Sequence, residues 1–334
     1  MSRVVINKQN LYSNMDFFVQ KLGSVDKLCV GLKDNAYGHG IEPIAKLCKS
    51  YGITNVFVKN LKEAKMIDRF DFDKVHILNY IPKIKTKYDI TINYLEDIKK
   101  IPQNSNVQLK VDTGMHRNGI KPDEIKKAIN QITKYKLNLS GIFSHYCCAD
   151  EETIKTINQH KIFQKLLKKV EGKGNFEKHI ANSSGVFRTD NELYDKARVG
   201  IGVYGYIDIP KYQKYLKPVM SLIANKSSTR IVRKGDRVGY GSDSYEVVKN
   251  TLAISNYDIG YGDGFFRIDE NKSYFTPNNK EILGRVSMDS LSLNSIADEV
   301  VLFDDVRELA KLHNTITYEI LTSINSELKR VVVY

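Results

Sequence analysis

Over its first two thirds the sequence alternates short apolar or β-branched runs with longer segments of helical period, the rhythm of successive parallel βα units. Eight runs can be counted, at 28–32, 56–58, 75–78, 89–92, 107–111, 139–144, 178–181 and 197–199. The intervening segments behave as helices: within 41–50, Ile41, Ile44, Ala45 and Cys48 share one face, and Gly52 ends the run. Because the crossover between parallel strands is right-handed, eight repeats return on themselves, and the pattern predicts an α/β fold with a (β/α)8 TIM-type barrel. After about residue 216 the rhythm changes to closely spaced β-type runs punctuated by Gly, Asn and Asp, among them RIVRKGDRVGYG, TLAISNYDIGYGDG, KEILGRVSMDSLSL and RVVVY. Only 305–313 reads as helical there. The expected organisation is a barrel domain over 1–215 and a C-terminal, mainly antiparallel β domain over 216–334.

A length of 334 residues suits this two-domain plan, and 42% hydrophobic residues supply the cores. No apolar run approaches the ~18 residues a membrane span needs, and MSRVVINKQN lacks a signal peptide's apolar stretch, so a soluble cytoplasmic protein is expected. The 51 basic residues against 39 acidic ones raise the question of nucleic acid. Only 12 of the 51 are arginine, and the lysines are interspersed with acidic and apolar residues. That dispersion describes solvated faces, so no nucleic-acid partner is expected. Cys29, Cys48, Cys147 and Cys148 contain no CxxC pair and read as reduced thiols. No metal is expected.

A barrel places functional side chains at the C-terminal ends of its strands and in the loops that follow. Lys33 ends the run LCVGLK and precedes the Gly-rich turn DNAYGHG. A lysine there, in partly apolar surroundings, can lose its proton by desolvation and attack an aldehyde carbon. By position alone it reads as one more solvated lysine among many.

The string LKDNAYGHG closely resembles the cofactor-lysine motif of the alanine racemases, a pyridoxal-phosphate family with a (β/α)8 barrel and a C-terminal β domain. The resemblance continues in order through VDTGMHRNG, FSHYCCADE, HIANSSG, ARVGIGVYG, KGDRVGYGSDSY, IGYGDGFFR, GRVSMDS and ITYEI, spanning 33 to 319. It implies interconversion of L- and D-alanine by two bases on opposite faces of the substrate Cα, supplying D-alanine for peptidoglycan. Lys33 would carry the cofactor and serve as one base, Tyr240 as the other. A phenol must be tuned by a neighbouring cation or donor to work near neutral pH, and the resemblance implies His145 and Arg198 for that coupling. Arg198 would also face the pyridine nitrogen, where a donor-only side chain weakens the ring as an electron sink.

The resemblance further implies Tyr37, Ser183, Gly200, Ile201 and Tyr318 at the phosphate, with Asn182 beside them. Arg117 would bind the substrate carboxylate and Met288 would offer its backbone N–H. Tyr261, Arg267 and Asp289 would line the substrate's access corridor. Lys110 would be carbamylated, because an unmodified amine near Arg117 places two cations together. The family's tyrosine comes from the partner subunit, so a homodimer with shared active sites is expected. Two departures stand out: Asp34 occupies a position where the family usually has a small residue, and the span between Met288 and Tyr318 is trimmed. A basic amino-acid decarboxylase of the same plan, which would want an acid in place of Arg198, and a single-barrel cofactor carrier are the rival readings.

Overall fold

A computed structural model describes residues 1–334 except 152, 189, 191–193, 242–244 and 270–271, so Ser242, Asp243 and Ser244 of the RVGYGSDSY motif lie outside the described residues. The chain divides into two compact units, one of residues 10–36 and 44–217 and the other of 1–9, 37–43 and 218–334.

The first unit is the barrel. After β1 (Arg3–Asn7), which belongs to the other unit, come β2 (Leu28–Gly31), β3 (Asn55–Val58), β4 (Lys74–Ile77), β5 (Asp89–Ile92), β6 (Asn106–Lys110), β7 (Asn138–Phe143), β8 (Glu177–His179) and β9 (Ala197–Val199). They pair in parallel in the order β8-β7-β6-β5-β4-β3-β2-β9, and a bridge between His179 and Lys196 joins the two ends. Each of the eight runs read from the sequence overlaps one of these strands. LCVG, NVFV and DITI are buried along their whole length, as strands covered on both faces must be. The helices between them bury one stripe each; in Ile125–Lys134 it is Ile125, Ala128 and Ile132. Local caps set where helices begin: the Asn60 side chain accepts the Glu63 N–H ahead of Leu61–Met66, and Thr153 accepts that of Lys155. The barrel interior departs from the usual filling of branched apolar side chains, because His76, Asp89, Thr91, Gln108, His179 and Arg198 are all buried there.

The second unit is a mixed sheet. Its strands are β1, β10 (Met220–Arg233), β13 (Thr251–Tyr257), β14 (Ile282–Leu283), β15 (Leu291–Leu293), β16 (Glu299–Phe303) and β17 (Lys329–Val333), with β11 (Arg237–Val238) and β12 (Tyr245–Glu246) forming a separate ribbon. The path runs β14-β15-β13-β10-β1-β17, with β16 on β10; all pairings are antiparallel except β1 with β17.

Two expectations need correction. The division at 215/216 put the chain start in the barrel, whereas β1 lies between β10 and β17, Val4 opposite Leu222 and Arg330. The reason is its alternation: Val4 and Ile6 are fully buried while their neighbours are not, a pattern that suits a one-sided sheet, and the eight-stranded ring is complete without it. The β unit also has a second helix, Thr317–Ser323, besides Arg307–Leu312. At seven residues it is too short to show a helical period, and it buries only Ile320 and Leu321. The turn at 37–40 packs on it so closely that a Cβ at Gly38, where φ is +82°, would overlap the Leu321 carbonyl oxygen. Among the described residues no helix is long and apolar enough to cross a membrane. All four cysteines are free thiols.

Candidate active site

In the barrel unit, the side chains singled out in the sequence lie at the C-terminal strand ends. Lys33 follows β2 and opens a turn in which Asp34, Asn35, Ala36 and Tyr37 all have φ between 52° and 55°. Such left-handed stretches of non-glycine residues cost roughly 1–2 kcal/mol each and concentrate at functional loops. Lys33 Nζ lies 3.1 Å from Asp34 Oδ2, and Asp34 Oδ1 lies 2.7 Å from Lys59 Nζ just beyond β3. Partial burial pulls against it, but hydrogen bonds from Lys59 and Lys33 hold the Asp34 carboxyl below the usual carboxylate range. Lys33 thus has a carboxylate neighbour in Asp34, the departure that the LKDNAYGHG motif carries.

Arg198, on β9, is the centre of the cluster. Its Nη1 donates to His179 Nδ1 at 2.5 Å, and its Nη2 donates to the Ser144 carbonyl at 2.5 Å and to His145 Nδ1 at 3.2 Å. The guanidinium lies 4.8 Å from the centre of the Phe143 ring, a cation–π contact. Burial brings its pKa down to about 10, which still leaves a cation at neutral pH. Burial and then the Arg198 charge hold His145 and His179 well below the ordinary imidazole value, so both rings are neutral and accept at Nδ1. Lys110, at the end of β6, is brought down to about 8 by burial, by Arg198 and by Arg117. Arg117 itself is exposed on the loop 112–117, which Asp112 shapes by accepting the N–H groups of Gly114, Met115 and His116. Lys33, Lys110, Arg117 and Arg198 all act electrostatically on His145, so the barrel residues converge on one mouth.

Beside them Ser183 gathers two backbone amides. The Ser183 hydroxyl accepts the N–H groups of Gly200 and Gly202, each at 3.2 Å, and Ile201 is buried between. A Cβ at Gly202 would overlap the Phe18 ring, so only glycine lets this backbone approach so closely. Asn182 is occupied locally: Nδ2 donates to the Tyr146 carbonyl at 3.3 Å and Oδ1 accepts the Gly185 N–H at 2.8 Å.

The remaining candidates lie in the β unit. Tyr37 and Tyr318 rings face each other with centroids 6.0 Å apart. Tyr240, Tyr261 and Met288 are 68%, 42% and 56% exposed, and Arg267 and Asp289 are exposed as well. Their loops interlock: Tyr261 N–H donates to Ser287 O at 3.0 Å, Gly262 N–H to Met288 O at 2.9 Å, and a Cβ at Gly241 would come within 2.8 Å of Arg285 Nη1. The two groups of candidates therefore belong to different units of one chain.

Comparison with known proteins places both units in one family. Residues 6–208 match the profile of the alanine racemase N-terminal domain and residues 219–332 that of the C-terminal domain. The chain belongs to the alanine racemase family. It is 38% identical over 344 residues to the alanine racemase of a Nitratiruptor species, covering 99% of each chain. Among solved structures, the alanine racemase of Clostridium difficile 630 superposes with a TM-score of 0.90 at 27% identity, over 99% of this chain and 95% of that one. The Bartonella henselae alanine racemase, with covalently bound pyridoxal phosphate, shares the fold at a TM-score of 0.85 and 24% identity, over 100% and 99% of the two chains.

Alanine racemases are racemases of amino acids that depend on pyridoxal phosphate, and the donor set found here fits that group. A buried serine and closely approaching backbone amides suit a phosphate ester, and a locked guanidinium suits a ring nitrogen left unprotonated. Four side chains of the cluster escaped the reading of the sequence. Lys59 has no motif of its own. His179 opens the quoted string HIANSSG and was the one available signal; Asp89 and Gln108 sit in ordinary strand runs.

Proposed function

We propose that this chain is a pyridoxal-phosphate-dependent alanine racemase that interconverts L- and D-alanine. The observation that carries the reading is Arg198, a buried donor-only side chain fixed by Ser144, His145 and His179. Set against the ring nitrogen of a bound cofactor, such a donor-only side chain would leave that nitrogen unprotonated and so favour return of the proton over transamination. A decarboxylase of this plan would want an acid there. Lys33 would hold the cofactor; Ser183, Gly200, Ile201, Tyr37 and Tyr318 would hold its phosphate, with Asn182 alongside. The bound cofactor supplies the conjugated ring that lets the Cα proton leave.

The chain's own groups do the rest. Arg117 binds the substrate carboxylate as a planar fork, and the Met288 N–H adds a donor. Lys33 Nζ holds and returns the Cα proton on one face, for D-alanine, and Tyr240 Oη does so on the other, for L-alanine. One base alone would return the proton to the face it came from. The exposure of Tyr240, Tyr261 and Met288 in the single chain supports a homodimer in which Tyr240 of the partner subunit completes each site, with Tyr261, Arg267 and Asp289 along the access corridor. Lys110 is carbamylated: its neutral amine attacks carbon dioxide, a C–N bond forms, a proton passes to solvent, and the new carboxylate pairs with Arg117. Its lowered pKa, about 8, supports this. The reduced thiols and the substrate's chemistry fit the cytoplasm, with D-alanine destined for peptidoglycan.

The test is chiral analysis of L-alanine incubated with the purified chain and pyridoxal phosphate. D-alanine should accumulate until the two enantiomers are equal, and Lys33→Ala should lower the rate by roughly three orders of magnitude. A borohydride-reducible chromophore on Lys33 with no D-alanine formed would instead make the chain a cofactor carrier. For Lys110, a labelled-bicarbonate carbamate signal should appear by carbon NMR and vanish in Lys110→Ala.

A further inference from the structure

Below Arg198 the barrel interior holds a single file of hydrogen bonds that no role above uses. His179 Nε2 lies 3.0 Å from Gln108 Oε1, and Gln108 Nε2 donates to Asp89 Oδ2 at 2.7 Å. The Ser140 hydroxyl also lies 2.8 Å from that Oδ2. Asp89, Gln108, His179 and Arg198 are each between 2% and 4% exposed. Four polar side chains buried together are costly unless every one is satisfied.

Their polarity admits one arrangement. A guanidinium only donates and a carboxylate only accepts, so the file has fixed ends. Arg198 donating to Nδ1 makes His179 an acceptor there, which puts its proton on Nε2. Nε2–H then requires the carbonyl oxygen of Gln108, and this turns the Gln108 amide nitrogen toward Asp89. Strand β7 makes room for that amide: a Cβ at Gly141 would overlap Gln108 Oε1. Reversal at the far end would run back through the whole file. If position 89 could donate, Gln108 could turn over, His179 would move its proton to Nδ1, and two donors would face each other at Arg198. The guanidinium would then have to leave Ser144 and His145 as well.

We infer that Asp89 and Gln108 are positioning residues that fix the Nε2–H tautomer of His179 and through it the orientation of Arg198 toward the cofactor ring. The inference rests on the racemase reading for its consequence, but its first readout does not. In nitrogen NMR of protein labelled at histidine, with the His179 signal assigned by its loss in His179→Asn, the wild-type ring should show the Nε2–H tautomer with and without cofactor. Asp89→Asn and Gln108→Met should each shift it toward Nδ1–H or a mixture. In the loaded enzyme the same variants should raise the ratio of transamination to racemisation about tenfold, the size expected for losing one charge-assisted hydrogen bond, with little change in KM for alanine. Thermal unfolding identifies which variants remain folded, and Gln108→Met leaves the Asp89 charge in place should Asp89→Asn not fold. An unchanged tautomer in the folded variants overturns the inference, as does a shifted tautomer with an unchanged ratio. A chain that makes no D-alanine would sink the racemase reading while leaving the cofactor-free tautomer measurement to stand or fall by itself.

Discussion

The charges around a single side chain set how it titrates, and Lys110 shows it most directly. Its amine titrates near 10.5 in an unfolded chain and near 8 in the folded one, through burial and the cations Arg198 and Arg117. Below pH 8 both states carry the proton, and the folded state bears the whole cost of enclosing it. Between 8 and 10.5 the unfolded chain binds more protons, so this contribution to stability rises with pH. In carbonate-free buffer, Lys110→Met should therefore gain up to about 3 kcal/mol on the wild type at pH 7 compared with pH 10.5. Urea unfolding at the two pH values measures the difference; an offset constant across that window would show that the buried amine is not the cause. Carbamylation, if Lys110 undergoes it, would remove the same cost by replacing the cation with an anion, so added bicarbonate should stabilise wild type and not the variant. Arg198 obeys the opposite logic. Burial lowers its pKa only to about 10, so it stays a fixed donor at every working pH. Arg198→Glu should accordingly divert the reaction toward transamination, seen as pyruvate formed from alanine.

Elements matter here for the backbone they present. The three-residue strands β8 and β9 are short, yet the turns after them bring Ser183 and the Gly200 and Gly202 amides to one point. Gly202→Ala drives a Cβ into the Phe18 ring and should cost roughly 1–3 kcal/mol in stability. It should also weaken cofactor binding, measured by titrating the cofactor-free protein with pyridoxal phosphate; unchanged affinity would remove these amides from the phosphate. Strands and helices with several turns were visible in the sequence because burial imposes a period. The helix Thr317–Ser323 was not, since seven residues with two buried positions carry no period to read. Nor was the left-handed run at 34–37, because nothing in DNAY demands positive φ until the chain on either side holds it there.

For the molecule as a whole, the division of candidates between two units is the main fact. Lys33 lies in the barrel unit and Tyr240 in the β unit, the latter largely exposed in a single chain. If the partner subunit supplies the tyrosine, mixing Lys33→Ala with Tyr240→Phe under subunit exchange should restore about a quarter of wild-type activity. Half the dimers would then be mixed, each with one intact site. No recovery would place both bases in one chain. The eight βα repeats, the change to β rhythm after 216 and the collinear motifs were legible in the order of residues, because each is carried by neighbouring residues and leaves a local pattern. Tertiary structure alone decided that β1 joins the second sheet, that Lys33 meets Asp34 and Lys59, and that Asp89, Gln108, His179 and Arg198 form one file across the barrel. Those four come from different strands, up to 109 residues apart, and the direction of each hydrogen bond depends on the donor or acceptor at the far end. Such dependence has no period and no spacing, and it exists only once the ring of strands has closed.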